Sequence, residues 1–315
     1  MVEINNPFVS VVIPVLNMDQ TVGLTLDSLL SQVYENREVI VVDGGSADKT
    51  KDVVSKYPVK LLESGKKSIP YQRNLGIEHS TGEIVAFTDA DCVADKNWLK
   101  YLIQNYSEDS VVACGGSILP YAIPYVDYKP QTLIERFSVK EFVGPNLHLD
   151  TEKPIKLKKR GLISSCIFGG NSSYRKSFLD EIGGFDNNIK IGEDIDSCHR
   201  IHKMGLTIIY DPRAVVYHRV KRTINSSMAQ YYKYGKARAP IYKKYSSKKF
   251  FIDNEYNYYQ NLYFNAFNFL KRLATVHSQE DKELYLFTPI MNSLLISSMI
   301  TGKIKGSTEH GILTL

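Results

Sequence analysis

The N-terminal part of the chain alternates short, continuously apolar runs with segments whose apolar positions recur at helical spacing. Val9 to Ile13 (VSVVI) is β-branched and predicts a strand stopped by Pro14. In the following segment Val22, Leu26, Leu29, Leu30 and Val33 fall at i, i+4, i+7, i+8 and i+11, the stripe of an amphipathic helix. EVIVVD at 38–43 predicts a second strand, closed by Gly44-Gly45-Ser46. Asp48 to Tyr57 reads as helix, Val59 to Leu62 as strand, and 68–80 as helix with Pro70 in its first turn. Gly82 breaks the chain before a strand at Ile84 to Thr88; Asp95 to Tyr106 is then helical and 110–116 extended. Strands alternating with helices, each strand apolar throughout, define a mostly parallel central sheet flanked by helices on both faces. Such sheets bind ligands beyond the carboxyl ends of their strands. Asn17, Asp43, Asp89 and Asp91 all stand there.

Between 120 and 165 this rhythm is lost to prolines and mixed charge, with a helix expected only around Thr132 to Phe142. Residues 166–186 (CIFGGNSSYRKSFLDEIGGFD) predict a strand, a glycine turn and a short helix. A helix at 193–205 ends at Gly205, two short strands fit 206–218, and the chain after 222 is Tyr-rich and helical in pattern. The 315 residues are 43% hydrophobic and 23% charged, an ordinary globular balance. Much of the net charge of +5 sits at 153–160, 218–222 and 236–249, which suits phosphate-bearing ligands or an anionic membrane surface, or else only solubilises the surface; no nucleic-acid partner is expected. Four scattered cysteines form no C-x-x-C pair, so a zinc or disulfide framework is not expected and a reducing compartment is. The N-terminus has no signal-peptide pattern. LYLFTPIMNSLLISSMI, at 284–300, is too short and too interrupted by polar residues for a spanning helix and predicts a buried or interfacial one.

The candidate chemistry lies in paired carboxylates. In an extended segment Asp89 and Asp91 of TDAD face the same way, and two adjacent carboxylates repel unless a cation joins them. Hard oxygen ligands suit Mg²⁺ or Mn²⁺. Asp43 could meet a base or ribose, with Gly44 and Gly45 allowing close approach, although a turn capped by Ser46 explains the same residues. GEDID at 192–196 is a second acidic cluster, equally readable as a helix start favoured by the helix dipole. No glycine-rich dinucleotide fingerprint follows the first strand.

The segments VSVVIPVLN, EVIVVDGGSADKT, QRNLGIEHSTGEIVAFTDADC, FGGNSSYRKSFLDEIGGFD and GEDIDSCHRIHKMG, in this order, resemble a family 2 glycosyltransferase with a glycosyltransferase A-type fold. The resemblance spans roughly 9–220. It implies that Pro14, Asn17, Asp43, Gly45 and Ser46 line a nucleotide pocket, and that Arg73 and Asn74 lie beside the nucleotide-sugar. It further implies that Asp89 faces the ribose, that Asp91 with Asp89 holds a Mn²⁺ or Mg²⁺ ion on the diphosphate, and that His218 is a further metal ligand. Arg219 and Arg222 would neutralise diphosphate oxygens, and Gly169, Gly170 and Asn171 would adjoin the acceptor. Asp194 resembles the general base, with Glu193 beside it, in an inverting transfer to a saccharide or lipid-linked saccharide hydroxyl. Processive members carry Q-x-x-R-W; here Gln230 is followed by Lys233 and Tyr234, which implies non-processive transfer.

The expected organisation is a catalytic domain at 1–222, its nucleotide-binding half at 1–105 and its acceptor half at 106–222, with a helical extension at 223–315. The basic run at 236–249 and the apolar 284–300 predict a peripheral enzyme on the cytoplasmic face of the cell membrane; the rival is that 284–300 packs internally. Two other functions fit less of the chain. A sugar nucleotidyltransferase would open with a glycine-rich basic phosphate loop where PVLNMDQT stands. A catalytically silent nucleotide-sugar scaffold leaves both carboxylate motifs without a purpose.

Overall fold

The computed structural model describes residues 6–120, 133–140, 152–157, 166–220, 223–245 and 279–311. One compact unit comprises Met1–Tyr121 with Val143–Arg219, and a second Ala122–Phe142 with Val220–Leu315.

The first unit is built on a nine-stranded sheet. Its strands are β1 (Val9–Val15), β2 (Arg37–Asp43), β3 (Lys60–Glu63), β4 (Ile84–Thr88), β5 (Cys92–Ala94), β6 (Val111–Pro120), β7 (Ile155–Lys156), β8 (Asn171–Arg175) and β9 (Thr207–His218). The order is β3-β2-β1-β4-β8-β6-β9-β5, with β7 paired to β9. β1 to β4 are mutually parallel; β8 runs antiparallel to both β4 and β6, and β9 is parallel to β6. Six of the nine strands thus share one direction, so the functional ends of β1, β2 and β4 open on the same edge. The helices of this unit are α1 (Val22–Leu30), α2 (Thr50–Val54), α3 (Ile69–Glu78), α4 (Trp98–Ile103), α6 (Lys176–Glu181) and α7 (Glu193–Lys203).

Several elements depart from the periodicity reading. β1 runs on through Pro14, because its pairing with β4 ends at Val12 and the proline's missing N–H costs nothing on that side. The glycines at 169 and 170 precede the strand of their segment rather than follow it. The two short strands expected at 206–218 are one strand, β9. It bulges between Asp211 and Val215, where the facing β6 residues are the neighbours Gly116 and Ser117. Buried Asp211 holds that bulge, accepting hydrogen bonds from Arg213 Nε (2.9 Å) and Asn105 Nδ2 (2.9 Å). β5, unforeseen, is only three residues long.

Val12, Val42, Phe87, Tyr174 and Phe185 belong to one buried core cluster. The last three rings meet edge to face, with centroids 5.3–5.9 Å apart. α3 approaches β1 so closely that a Cβ on Gly76 would stand 2.2 Å from Val12 Cγ1. Gly76→Ala is therefore expected to lower stability by about 1–3 kcal/mol through overpacking, despite alanine's better helix propensity. Urea unfolding measures this, and an unchanged or raised midpoint would refute the packing argument.

In the second unit α5 (Leu133–Lys140), α8 (Ile224–Tyr245) and α9 (Gln279–Glu309) pack together. Ile134, Phe137, Met291 and Leu295 form its apolar cluster. α8 and α9 cross backbone to backbone. A Cβ on Gly235 would lie 2.0 Å from Met299 O, and one on Gly302 2.1 Å from Tyr232 O. Met291, Leu295 and Met299 point inward, while Ser293, Ser297 and Thr301 face out. No described helix is long and apolar enough to cross a membrane.

Candidate active site

At the carboxyl ends of β1 and β2 two loops are zipped together. Asn17, left-handed at φ 54°, donates its N–H to Ser46 Oγ (2.9 Å) and accepts from Ala47 N–H through Oδ1 (2.8 Å). Asp43 is buried and its Oδ2 accepts from the N–H groups of Gly45 and Ser46, both at 2.8 Å. Buried Gln72, at the start of α3, donates through Nε2 to Val15 O (2.9 Å) and Val42 O (2.8 Å), tying the two strand ends together. Pro14 is buried within β1, and Gly45 is exposed on the loop.

Asp89 and Asp91 converge, but not through a strand's pleat. Cys92 N–H donates to Asp89 O (3.0 Å), closing a tight turn that joins β4 to β5. β5 pairs antiparallel with β9 and sets Cys92 opposite His218. Ligand atoms of Asp89, Asp91, Cys92 and His218 consequently lie within 4.8 Å of one another. His218 Nδ1–H donates to Arg219 O (2.9 Å), which leaves Nε2 facing Asp91 Oδ1 at 3.6 Å. Burial, with Asp91 and Asp89 nearby, pushes the Cys92 thiol well above its ordinary range. Carboxylate oxygens with an imidazole oriented from behind fit a divalent cation. Asp89, Asp91 and His218 would hold it.

Arg73 links the two carboxylate clusters. Its guanidinium is buried and pairs with Glu193 Oε1 (2.5 Å) and Asp89 Oδ1 (3.2 Å), lying 5.8 Å from the ring centroids of both Phe87 and Phe185. Burial opposes its charge, but Glu193, Asp89 and Asp194 outweigh that and raise its pKa. Glu193 is pushed up to about 7 by burial, Asp194 adding to this and Arg73 working against it. Asp194, half-buried at the start of α7, accepts N–H bonds from Gly169 (2.9 Å, on Oδ2) and Ile195 (2.8 Å, on Oδ1). Its pKa is also raised by desolvation, against the pull of Arg73 and those two donors.

The glycines between the clusters are steric necessities. A Cβ on Gly169 would fall 2.1 Å from Arg73 Nη1, and one on Gly170 2.9 Å from Asp89 Oδ2. Two asparagines expected at ligands are instead occupied within the fold. Asn74 grips the backbone of Phe185, donating to its O and accepting from its N, both at 2.8 Å. Buried Asn171 accepts from Trp98 Nε1 and donates to Ser117 O and Ala214 O, each at 2.8 Å, so its amide is spent on bracing β8. Arg219 follows His218 beside the cluster, its N–H on Asp91 O (3.1 Å); Arg222 lies outside the described residues, as do 158–160 and 246–249. Cys92 and Gln72 carry no signal of their own in the sequence, although each adjoins a motif that does.

The raised pKa of Glu193 has a consequence for stability. A carboxyl whose folded value, about 7, exceeds its ordinary 4.5 contributes stability below pH 4.5 that is lost as pH rises through 7. The stability of wild type relative to Glu193→Gln should therefore fall between these pH values by on the order of 1–3 kcal/mol, then level off. Urea unfolding of both proteins across this range tests it, and parallel pH profiles would contradict it.

Parallel strands that end at two interlocked loops, with two carboxylate clusters beside them, are the arrangement of the glycosyltransferase A-type fold. The Glycosyl transferase family 2 model matches residues 10–183, over half of the chain, which belongs to that family. Glycosyltransferase AglE of Haloferax volcanii is 28% identical over 212 residues, covering 65% of this chain and 64% of AglE. The glucosyl-dolichyl phosphate glucuronosyltransferase of the same organism is 29% identical over 228 residues, 67% of this chain and 69% of that protein. The chain thus spans about two thirds of the length of these relatives. Among solved structures, the mannosyltransferase PcManGT from Pyrobaculum calidifontis, in complex with GDP-Man and Mn²⁺, superposes with a TM-score of 0.61 at 20% identity, covering 94% of this chain and 87% of that one. GalNAc-T7 with UDP, GalNAc and Mn²⁺ gives a TM-score of 0.53 at 19% identity, covering 68% and 44%. At these identities the likeness is one of fold.

Proposed function

We propose that the protein is an inverting, non-processive glycosyltransferase that moves a sugar from a nucleotide-diphosphate sugar to a hydroxyl of a saccharide or lipid-linked saccharide. The observation that carries this reading is the placement of Asp194: two backbone N–H groups orient its carboxylate, and Arg73, through Asp89 and Glu193, ties that end of α7 to the metal cluster. A divalent ion held by Asp89, Asp91 and His218 would act as a Lewis acid on the departing diphosphate. The loops holding Asn17, Asp43, Gly45 and Ser46 receive the nucleotide, and their mutual hydrogen bonds fix the pocket wall before it arrives. Arg73 bridges Glu193 and Asp89, offsets their mutual repulsion and sets the carboxylates in register. Asp194, its pKa raised by desolvation, takes the proton of the acceptor hydroxyl as that oxygen attacks the anomeric carbon. Attack opposite the nucleotide inverts the configuration and requires no covalent sugar–enzyme intermediate.

The names of two matched relatives, a dolichyl phosphate glucuronosyltransferase and the poly-beta-1,6-N-acetyl-D-glucosamine synthase of Staphylococcus aureus, support a lipid-linked or glycan acceptor. Peripheral contact with an anionic membrane rests on the basic residues of α8, such as Lys233 and Lys243, while the outward positions of α9 combine Ser293, Ser297 and Thr301 with exposed Ile290 and Ile304. The reading is tested by incubating the protein with UDP-, GDP- and dTDP-sugars, with and without Mn²⁺, and with a polyprenyl-phosphate sugar as acceptor. Mn²⁺-stimulated release of the nucleoside diphosphate is expected with one of them. Release with none, at any metal concentration, would overturn the proposal.

A further inference from the structure

The turn between β4 and β5 carries one donor that an oxygen-preferring ion does not need. Cys92 opens β5, is completely buried, and stands opposite His218 across the sheet. Its sulfur belongs to the same group of ligand atoms, all within 4.8 Å, as Asp89, Asp91 and His218. Two carboxylate oxygens, an imidazole nitrogen and a thiol make four donors of mixed softness. Mg²⁺ keeps to oxygen ligands and water, whereas thiolate with imidazole suits zinc, and affinity rises from Mn²⁺ through Co²⁺ in the general order of divalent ions. Donors sharing a tetrahedral ion at bonds of about 2.0–2.3 Å lie roughly 3.3–3.8 Å apart. His218 Nε2 and Asp91 Oδ1 already meet that at 3.6 Å. No other pair of these donors is more than 4.8 Å apart, so none has to close by much more than about an ångström. The Arg219 carbonyl accepts the His218 Nδ1 proton and so turns Nε2 toward the other donors, the support that metal-bound histidines use.

We propose that Cys92 is a ligand in this centre for thiophilic divalent ions, so that Zn²⁺ is held by Asp89, Asp91, Cys92 and His218 together. The inference rests on the metal reading of the site and deepens it by naming which ions the centre takes. Coordination forms a metal–sulfur bond and releases the thiol proton to solvent; no electron is exchanged. Four protein donors make a closed site of the structural zinc type, while a catalytic centre keeps a position for a substrate oxygen. The centre therefore has two modes. Hard ions leave Cys92 protonated and a position open for the diphosphate. Zn²⁺ recruits the sulfur, fills its shell with protein and shuts the diphosphate out.

Co²⁺ titrated alone into metal-free, full-length protein distinguishes these modes by absorption. Wild type is expected to show a thiolate-to-cobalt charge-transfer band in the near ultraviolet together with visible d–d bands. Cys92→Ser and Cys92→Ala should lose the first and keep the second, and their Zn²⁺ affinity, measured by cobalt displacement, should fall roughly tenfold or more. Asp91→Ala, should either cysteine variant not fold, ties the sulfur to this centre by losing the same band. Bound cobalt with d–d bands but no charge-transfer band in wild type overturns the role of Cys92 while leaving the metal reading intact. No bound cobalt at all overturns both. A charge-transfer band that survives in Cys92→Ser belongs to another cysteine and also refutes the proposal.

Discussion

Asp194→Asn is expected to slow sugar transfer by about 10²-fold or more while leaving affinity for the nucleotide-sugar nearly unchanged. The substitution keeps the size of the side chain and one acceptor oxygen for the Gly169 or Ile195 N–H, so the start of α7 stays in place. What it removes is proton acceptance. Glu193 could take over only by breaking its ion pair with buried Arg73, and buried Asp196 only by breaking its pair with Arg200. A steady-state comparison of kcat and KM for donor decides the matter. Turnover near the wild-type level would move the base to another group, and a large rise in donor KM would make Asp194 a binding residue instead.

The second large effect concerns Asp91. Asp91→Ala removes one oxygen donor from the cluster and the partner that His218 Nε2 faces at 3.6 Å. Nucleoside diphosphate binding in the presence of Mn²⁺ should weaken by about tenfold or more, and transfer should fall below detection. Binding in the presence of chelator, already weak, should be unaffected by the same substitution. Calorimetric titration with and without Mn²⁺ gives both numbers. Transfer by Asp91→Ala that resists chelation would exclude the metal role.

Strands such as β1 and β4 were legible in the sequence because they are apolar along almost their whole length and buried, whereas β8 (NSSYR) and the three-residue β5 carry no such run. The carboxylate pairs were legible because acidic residues stand out at the end of such a run. Less legible was how they converge. Asp89 and Asp91 meet through a tight turn and a three-residue strand, and nothing in TDADC announces that Cys92 will pair with a histidine far along the chain. The same separation hid the bond between Arg73 and Glu193, 120 positions apart. Asn74 and Asn171 resemble ligand-binding residues by motif, yet an amide that clamps a backbone and one that meets a substrate look identical in a sequence. Only the inventory of their partners distinguishes them. The glycines at 169 and 170 show the reverse case. They read as a turn, and their purpose is to let a guanidinium and a carboxylate approach the backbone. In the second unit the apolar run within α9 was visible, but which of its residues face inward depended on α5 and α8, which supply the surface that Met291 and Leu295 cover.

A single displacement assisted by the Asp194 carboxylate fixes the configuration of the product. With a donor of known anomeric configuration, proton NMR of the new glycosidic bond should show the opposite configuration from the first turnover onward. A product that retains the donor's configuration would contradict direct attack by an Asp194-activated hydroxyl and require a second displacement at this site.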